Sequence, residues 1–381
     1  MKSKFCVFCG EKPSNKNKEH IIPKWLIKMT GDLNREIFVG LNWEDSSLSK
    51  RVFRFSSFSF PSCKACNDKF GAIERKAKLI LLDVMDDKVI TQEEGDVLLD
   101  WFDKVRTGLW LSSLILNKNH NGVKPHYYIS DRVGKADRAL FVYKTKNEPK
   151  GISFIASDSP VFQIMPSVFA LKINDYYFVS ISTDLILHKS LGLVGEQIKE
   201  IDSITELNLY SVTEGDGEIK VPDFISDFPK KCMVFLQGIK PKYVNQMNDK
   251  KSSETDANSF SLLYKNEHAL NLFSNGKSKI IIIKDEEIYF LSDLNEAKID
   301  ITEEPTIILK SDGFYNQLVF RKKLGSFILD FQRKLYVSSY QDSQINGENS
   351  ELMMEGFKHT LAIHDKVTEI YNGSKKYRSD I

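Results

Sequence analysis

Residues 18–25 read KEHIIPKW, and they lie between two cysteine pairs of the same spacing, Cys6-Val-Phe-Cys9 and Cys63-Lys-Ala-Cys66. Four cysteines in two C-x-x-C knuckles fit one tetrahedral thiolate zinc site, each knuckle presenting two sulfurs to the ion. The intervening loop is long, but loop closure costs grow only slowly with length. An ion at this point would staple Glu19-His20 into a small closed segment. A carboxylate beside an imidazole, followed directly by Ile-Ile-Pro, is either an accident of a surface turn or half of an active site.

Composition sets the wider frame. The chain has 381 residues and a net charge of +1, long enough for two or three domains at roughly 100–200 residues each. The charge is uneven: residues 1–80 hold 16 Lys and Arg against 8 Asp and Glu. A basic first segment on an otherwise acidic chain suggests a polyanion partner, or simply a lysine-rich solvated face. No run of about 18 apolar residues predicts a membrane span, and residues 1–10 are too short and polar for a signal peptide. The expected compartment is the cytoplasm, where the cysteine pairs are thiols rather than disulfides. Cys232, alone in an apolar run, reads as a buried structural thiol.

The local patterns predict short elements first. Residues 4–13 form a knuckle with Gly10 at the turn. Residues 19–23 read as a strand stopped by Pro23, residues 23–29 as a short helix opened by that proline, and residues 50–60 as a strand of period two. A helical pattern runs from Phe70 with Ile73, Ala77, Ile80 and Leu81 on one face. Thr91 and Glu94 form a capping box for a second, largely buried helix. Residues 126–240 read as β-rich, beginning at PHYYIS and including a hairpin turn at KIND. Residues 245–259 read as a linker. A hairpin over 279–292 and two long helices, about 316–340 and 349–371, complete the chain.

Taken together, the knuckles, "EHIIPKWL" and "CNDKFGAIERKAK" resemble the zinc-stapled branch of the HNH endonucleases, also called His-Me finger or ββα-metal nucleases. The resemblance is closest to bacterial proteins reading C-x-x-CG, then EH-apolar-x-P-K-W-L, then C-x-x-CN with a Glu in the following helix, here Glu74. Members often continue with a helix carrying Trp and Lys, as at Trp101 and Lys104. The likeness is strong over about residues 5–80. It implies structural Zn2+ at Cys6, Cys9, Cys63 and Cys66, and a catalytic Mg2+ or Mn2+ held by Glu19 and Asn67. It makes His20 the general base that deprotonates water for phosphodiester hydrolysis.

Three departures stand out. The acid is Glu where the wider superfamily mostly has Asp. No middle Asn precedes Cys63, leaving Asn34 and Asn42 as the nearest candidates. The gap from His20 to Cys63 holds an insertion. Asn67 can also serve as a helix N-cap, which is compatible with ligation, and Glu74 is either a third ligand or, the favoured reading, an ion-pair partner of Lys78 or a packing residue. Lys24, Lys69, Arg75 and Lys76 are candidate phosphate contacts. Trp25 reads as a core anchor. His120 and His126 read as loop residues, and His359 and His364 as a helical surface.

The expected architecture is α+β: a small zinc-stapled ββα-metal nuclease domain over 1–88, followed by a larger mixed α/β region. Residues 89–245 are a helix plus β-rich part, and residues 260–381 an α+β part that regulates or oligomerises. The expected activity is metal-dependent endonuclease cleavage of DNA, with a regulatory protein or a second copy as partner. A role in anti-phage defence is suggested by layout alone. The alternatives are a non-catalytic zinc knuckle binding nucleic acid or protein, and an RNA-directed nuclease.

Overall fold

A tight turn at Cys6–Cys9 starts the fold: Gly10 N–H donates to Cys6 O at 2.9 Å, and Cys6 N–H to Glu11 O at 2.8 Å. Gly10 has φ +79°, and a Cβ there would lie 2.2 Å from Tyr128 Cε2, so both the turn and the packing demand glycine. The computed structural model describes residues 5–41, 50–88, 90–116, 125, 127–135, 138–145, 150–182, 194–198, 210–214, 231–237, 279–284, 287–290, 302–303, 313–345 and 351–373. The expected linker at 245–259, His120, His126 and Asn42 lie outside them, as does the side chain of Cys232.

After the knuckle come β1 (Lys16–His20), α1 (Lys24–Met29), β2 (Glu36–Leu41), β3 (Lys50–Arg54), β4 (Ser59–Cys63) and α2 (Lys64–Met85). β1 pairs antiparallel with β4, placing Glu19 opposite Phe60 and His20 opposite Ser59. β2 pairs antiparallel with β3. The strand expected over 19–23 therefore lies earlier and ends at His20. Ile21 and Ile22 leave the ladder to fill the core, and Pro23 stands at the N-cap of α1, its carbonyl accepting from Leu26 N–H at 3.0 Å and Ile27 N–H at 3.1 Å. The single strand expected over 50–60 is broken by a 3-10 turn at Phe55–Ser57. That turn buries Phe55 beneath the Arg35 guanidinium, 5.0 Å from the ring centroid, while Phe58 and Phe60 stay in the same core. α2 starts six residues before Phe70, with Cys63 at its N-cap position. Its polar first turn is held by contacts that hydrophobic periodicity does not register.

α3 (Gln92–Leu116) carries the expected capping box: Thr91 N–H donates to Glu94 Oε2 at 2.7 Å, and Glu94 N–H to Thr91 Oγ1 at 3.3 Å. Every residue from Trp101 to Leu114 is buried, including Asp103, Lys104 and Arg106. The short helix α4 (Ile129–Arg132) follows. It stands where a strand was expected from PHYYIS. Asp131 accepts from Tyr128 N–H at 2.9 Å and turns the chain into helix.

The main sheet comprises β5 (Arg138–Thr145), β6 (Ile152–Ile155), β7 (Val168–Ile173), β8 (Tyr176–Ser182), β11 (Lys231–Gln237), β12 (Lys279–Lys284), β13 (Glu287–Phe290) and β14 (Thr302–Glu303). Its order is β13-β12-β11-β5-β8-β7-β6, with β14 alongside β5. Helix α5 (Pro160–Ile164) links β6 to β7, and β9 (Val194–Ile198) pairs separately with β10 (Tyr210–Glu214). The expected hairpins at KIND and over 279–292 are present as β7–β8 and β12–β13. Two long helices, α6 (Gly313–Ile345) and α7 (Glu351–Gly373), close the chain.

Alternation along the strands divides the core in two. Leu140, Val142, Phe178 and Phe235 join Trp101, Ile21 and the cysteine knuckle in one cluster. Phe141, Tyr143, Val179 and Leu236 join Leu324, Ile328 and Phe331 of α6 in the other. Both faces of the sheet are covered, so its central strands read as continuous apolar runs. The larger cluster runs without a break from Cys6 through α3 to Phe235. The fold is α+β, and among the described residues no helix is long and apolar enough to cross a membrane.

Candidate functional site

The two knuckles converge. Cys6 and Cys9 come from the N-terminal turn, Cys63 from the end of β4 and Cys66 from the first turn of α2. The four Sγ atoms lie within 4.8 Å of one another, and all four thiols are free. Tetrahedral zinc at about 2.3 Å from each sulfur sets sulfurs about 3.8 Å apart, so the donor set and its spacing can hold a zinc ion. Two backbone N–H groups already aim at sulfur: Cys63 N to Cys6 Sγ at 3.2 Å and Ser14 N to Cys63 Sγ at 3.3 Å. Hydrogen bonding from Ser14 brings the Cys63 thiol down to about 7, while burial and the neighbouring sulfurs push Cys66 up to about 12. Four thiolates packed this closely repel one another, and a divalent cation removes that repulsion.

The cluster fixes β1 against α2. Val7 N–H donates to Pro61 O at 3.1 Å, tying the knuckle to β4, the partner of β1. Asn67, in the first turn of α2, donates through Nδ2 to Lys18 O at 3.2 Å, which leaves its Oδ1 as the side-chain acceptor. Asn67 is not the N-cap, a position taken by Cys63.

Strand pleating sends Glu19 and His20 to opposite faces. His20 is half-buried, and its Nε2 lies 3.2 Å from Ser56 O. A carbonyl can only accept, so this bond assigns the proton to Nε2 and leaves the lone pair on Nδ1. Burial lowers the His20 pKa, nearby Lys24 and Lys18 lower it further, and Ser56 and Glu74 oppose them. Burial thus favours the neutral imidazole. Asn34, one of the two candidates for the missing middle Asn, accepts from Ser56 Oγ at 3.0 Å. It thus steadies the turn whose carbonyl orients His20.

Glu19 faces the interior and is 4 % exposed. Its Oε1 lies 2.6 Å from Lys104 Nζ, and the same ammonium donates to Glu74 Oε2 at 2.7 Å. Oε1 has the ion pair but no well-angled hydrogen bond. Burial pushes the Glu19 carboxyl up, against the pull of Lys104. Burial works on Lys104 in the other direction, but its two carboxylates outweigh it and hold the ammonium above its usual range. Lys104 therefore stays charged. Glu74 is paired with Lys104 and not with Lys78, which instead lies over the Trp25 ring at 6.0 Å from the centroid. Lys24, Lys69, Arg75 and Lys76 are all exposed.

Of the remaining expectations, Trp25 is partly buried against the core. His359 is exposed, but His364 is fully buried with Nε2 2.9 Å from Leu329 O, because α6 packs over that face of α7. Sequence reading did not join Lys104 to Glu19. The available signal was Lys104 among the large apolar side chains of WFDKVRTGLW in a helix expected to be largely buried, where an ammonium needs a buried partner.

The chain matches no family model, no curated protein and no solved structure.

Proposed function

We propose that the cysteine-closed segment is an HNH-type endonuclease centre that hydrolyses phosphodiester bonds in DNA. One observation carries the reading: Ser56 holds His20 by Nε2, so a neutral imidazole offers Nδ1 as a base on a strand anchored to a four-cysteine cluster. Such an imidazole can take the proton from an attacking water near neutral pH. Exposed Lys18 and Lys24, close enough to depress His20, supply positive charge for the phosphate backbone.

Glu19 and the Oδ1 of Asn67 would hold a divalent cation. Carboxylate and amide oxygens are the hard donors that Mg2+ or Mn2+ prefers, and although Glu19 Oε1 pairs with Lys104 at 2.6 Å, one ammonium leaves lone pairs of the carboxylate for an ion. When bound, the ion would supply charge neutralisation at the phosphate and the departing oxygen. On this reading residues 1–88 form the nuclease unit, and residues 89–245 and 260–381 bind a partner or regulate it. An anti-phage role would suit a nuclease so burdened.

The test is plasmid nicking with Mg2+ or Mn2+ by the wild-type chain and by His20→Ala. Cleavage by the first and not the second supports the reading, and equal activity or equal silence with every metal overturns it. A second reading is a non-catalytic zinc module that binds nucleic acid. The Glu19–Lys104–Glu74 ion cluster favours it, since buried charges of this kind can be purely structural. DNA binding without cleavage would decide for it, and competition by RNA would separate an RNA-directed nuclease.

A further inference from the structure

Lys104 lies outside the cysteine-closed segment, on α3, yet its ammonium is 1 % exposed and meets Glu19 and Glu74 together. Gly108, four residues on, meets Ile21: a Cβ on Gly108 would stand 2.7 Å from Ile21 Cδ1. Lys104 and Gly108, about one helical turn apart on α3, thus meet Glu19 near the end of β1 and Ile21 just beyond it. Elsewhere along its length α3 is held to the sheet. Asp103 Oδ2 accepts from Arg138 of β5 at 3.0 Å, and a Cβ on Gly95 would stand 2.3 Å from Phe235 of β11.

We propose that Lys104 is a positioning residue for the candidate cation site, setting the place of the Glu19 carboxylate from a helix seated on the main sheet. The inference rests on reading Glu19 as a cation ligand. A carboxylate has about four lone-pair directions, so one ammonium at Oε1 fixes it without exhausting it. Glu74 takes another N–H of the same ammonium, so the lysine cannot swing away from Glu19. Partners that hold a ligating carboxylate tune metal affinity without touching the metal. The site is thus completed by α3, and a shift of α3 on the sheet would be felt at Glu19.

The experiment is Mn2+ binding to the full-length, zinc-loaded chain, by calorimetry and by the electron paramagnetic resonance signal of free Mn2+, with melting temperature and zinc content recorded alongside. Lys104→Met is expected to weaken Mn2+ binding about ten-fold or more. Lys104→Arg, which keeps the charge but moves the donors, is expected to fall between it and wild type. Glu74→Gln is expected to weaken binding by a smaller factor. A purely structural lysine would lower the melting temperature and leave the Mn2+ affinity of the folded protein unchanged, and that result overturns the proposal. If Lys104→Met does not fold, the other two variants decide, and wild-type affinity in both overturns it. Wild type that binds Mn2+ alongside an equally tight Lys104→Met removes this proposal alone. Wild type that binds no Mn2+, with or without duplex DNA, removes the nuclease reading and this proposal with it.

Discussion

Gly108 of α3 presses against Ile21, the residue that follows His20: a Cβ there would lie 2.7 Å from Ile21 Cδ1 and 2.9 Å from Cγ2. Cγ2 is attached at the branched Cβ and cannot swing aside freely. Alanine normally gains about 1 kcal/mol over glycine in a helix interior, but overpacking a core costs about 1–3 kcal/mol. Gly108→Ala should therefore lower the melting temperature. Gly71 of α2 is the control, because a Cβ there meets only Arg75 Nη1 at an ordinary 3.6 Å, so Gly71→Ala should be neutral or stabilising. Thermal unfolding of the two variants checks the contrast, and a Gly108→Ala protein as stable as wild type would show that the close approach has no energetic weight.

The cysteine cluster should bind one zinc ion per chain, measured by elemental analysis and by the number of thiols that react before and after chelation. Cys63→Ala should abolish stoichiometric zinc. Through Cys63 and Cys66 a bound ion would tie down the start of α2, so the same change should also loosen the first turn that carries Asn67. Hydrogen exchange over residues 63–70 would report it, and unchanged protection there with zinc lost would separate the two roles.

His20 sets a pH expectation for the proposed cleavage. Its folded pKa lies below the ordinary 6.5, chiefly through burial. The neutral, base-competent form thus dominates above that value, and kcat/KM should fall only on an acid limb lying below pH 6.5. A general base typically contributes about 10²–10⁴-fold, so His20→Ala should lose at least about 100-fold. An acid limb centred well above pH 6.5 would assign the base to another group.

Asp103 is fully buried among Arg106, Arg138 and Arg132. Burial raises its pKa, but the three guanidinium groups outweigh burial and hold it below its usual value. Removing one partner of a buried ion network typically costs about 3–5 kcal/mol, and Asp103→Asn should fall in that range. A carboxylate with a depressed folded pKa contributes stability that is present above its unfolded pKa and lost as pH falls through the folded one. Denaturant melts from pH 7 downward should therefore show wild type and Asp103→Asn converging below about pH 4. A gap that stays constant with pH would mean that charge is not the source.

Much of the local structure was legible because local chemistry fixed it. The Thr91–Glu94 capping box, the turn after Ile173 and the knuckle at Gly10 each depend on a few neighbouring residues and stand as expected. The misplacements came where distant residues decided. Ile21 and Ile22 were drawn out of the strand by the core, Phe55 was turned inward beneath Arg35, and α2 began early on Cys63. Glu74 was expected beside Lys78 at helical spacing, but a buried ammonium from α3 competes better than an exposed one.

The candidate site divides along the same line. The repeated C-x-x-C spacing alone determined a four-sulfur cluster, because thiolates at that spacing have few other uses. Adjacency in a strand alone determined that Glu19 and His20 face opposite ways. What each faces was decided by the tertiary structure. Ser56, 36 residues away, chooses the His20 nitrogen that carries the proton, and Lys104, on a different helix, holds the Glu19 carboxylate. Strand geometry is a property of consecutive residues, whereas a hydrogen bond or a buried ion pair needs partners that only the folded core brings within 3 Å or so of each other.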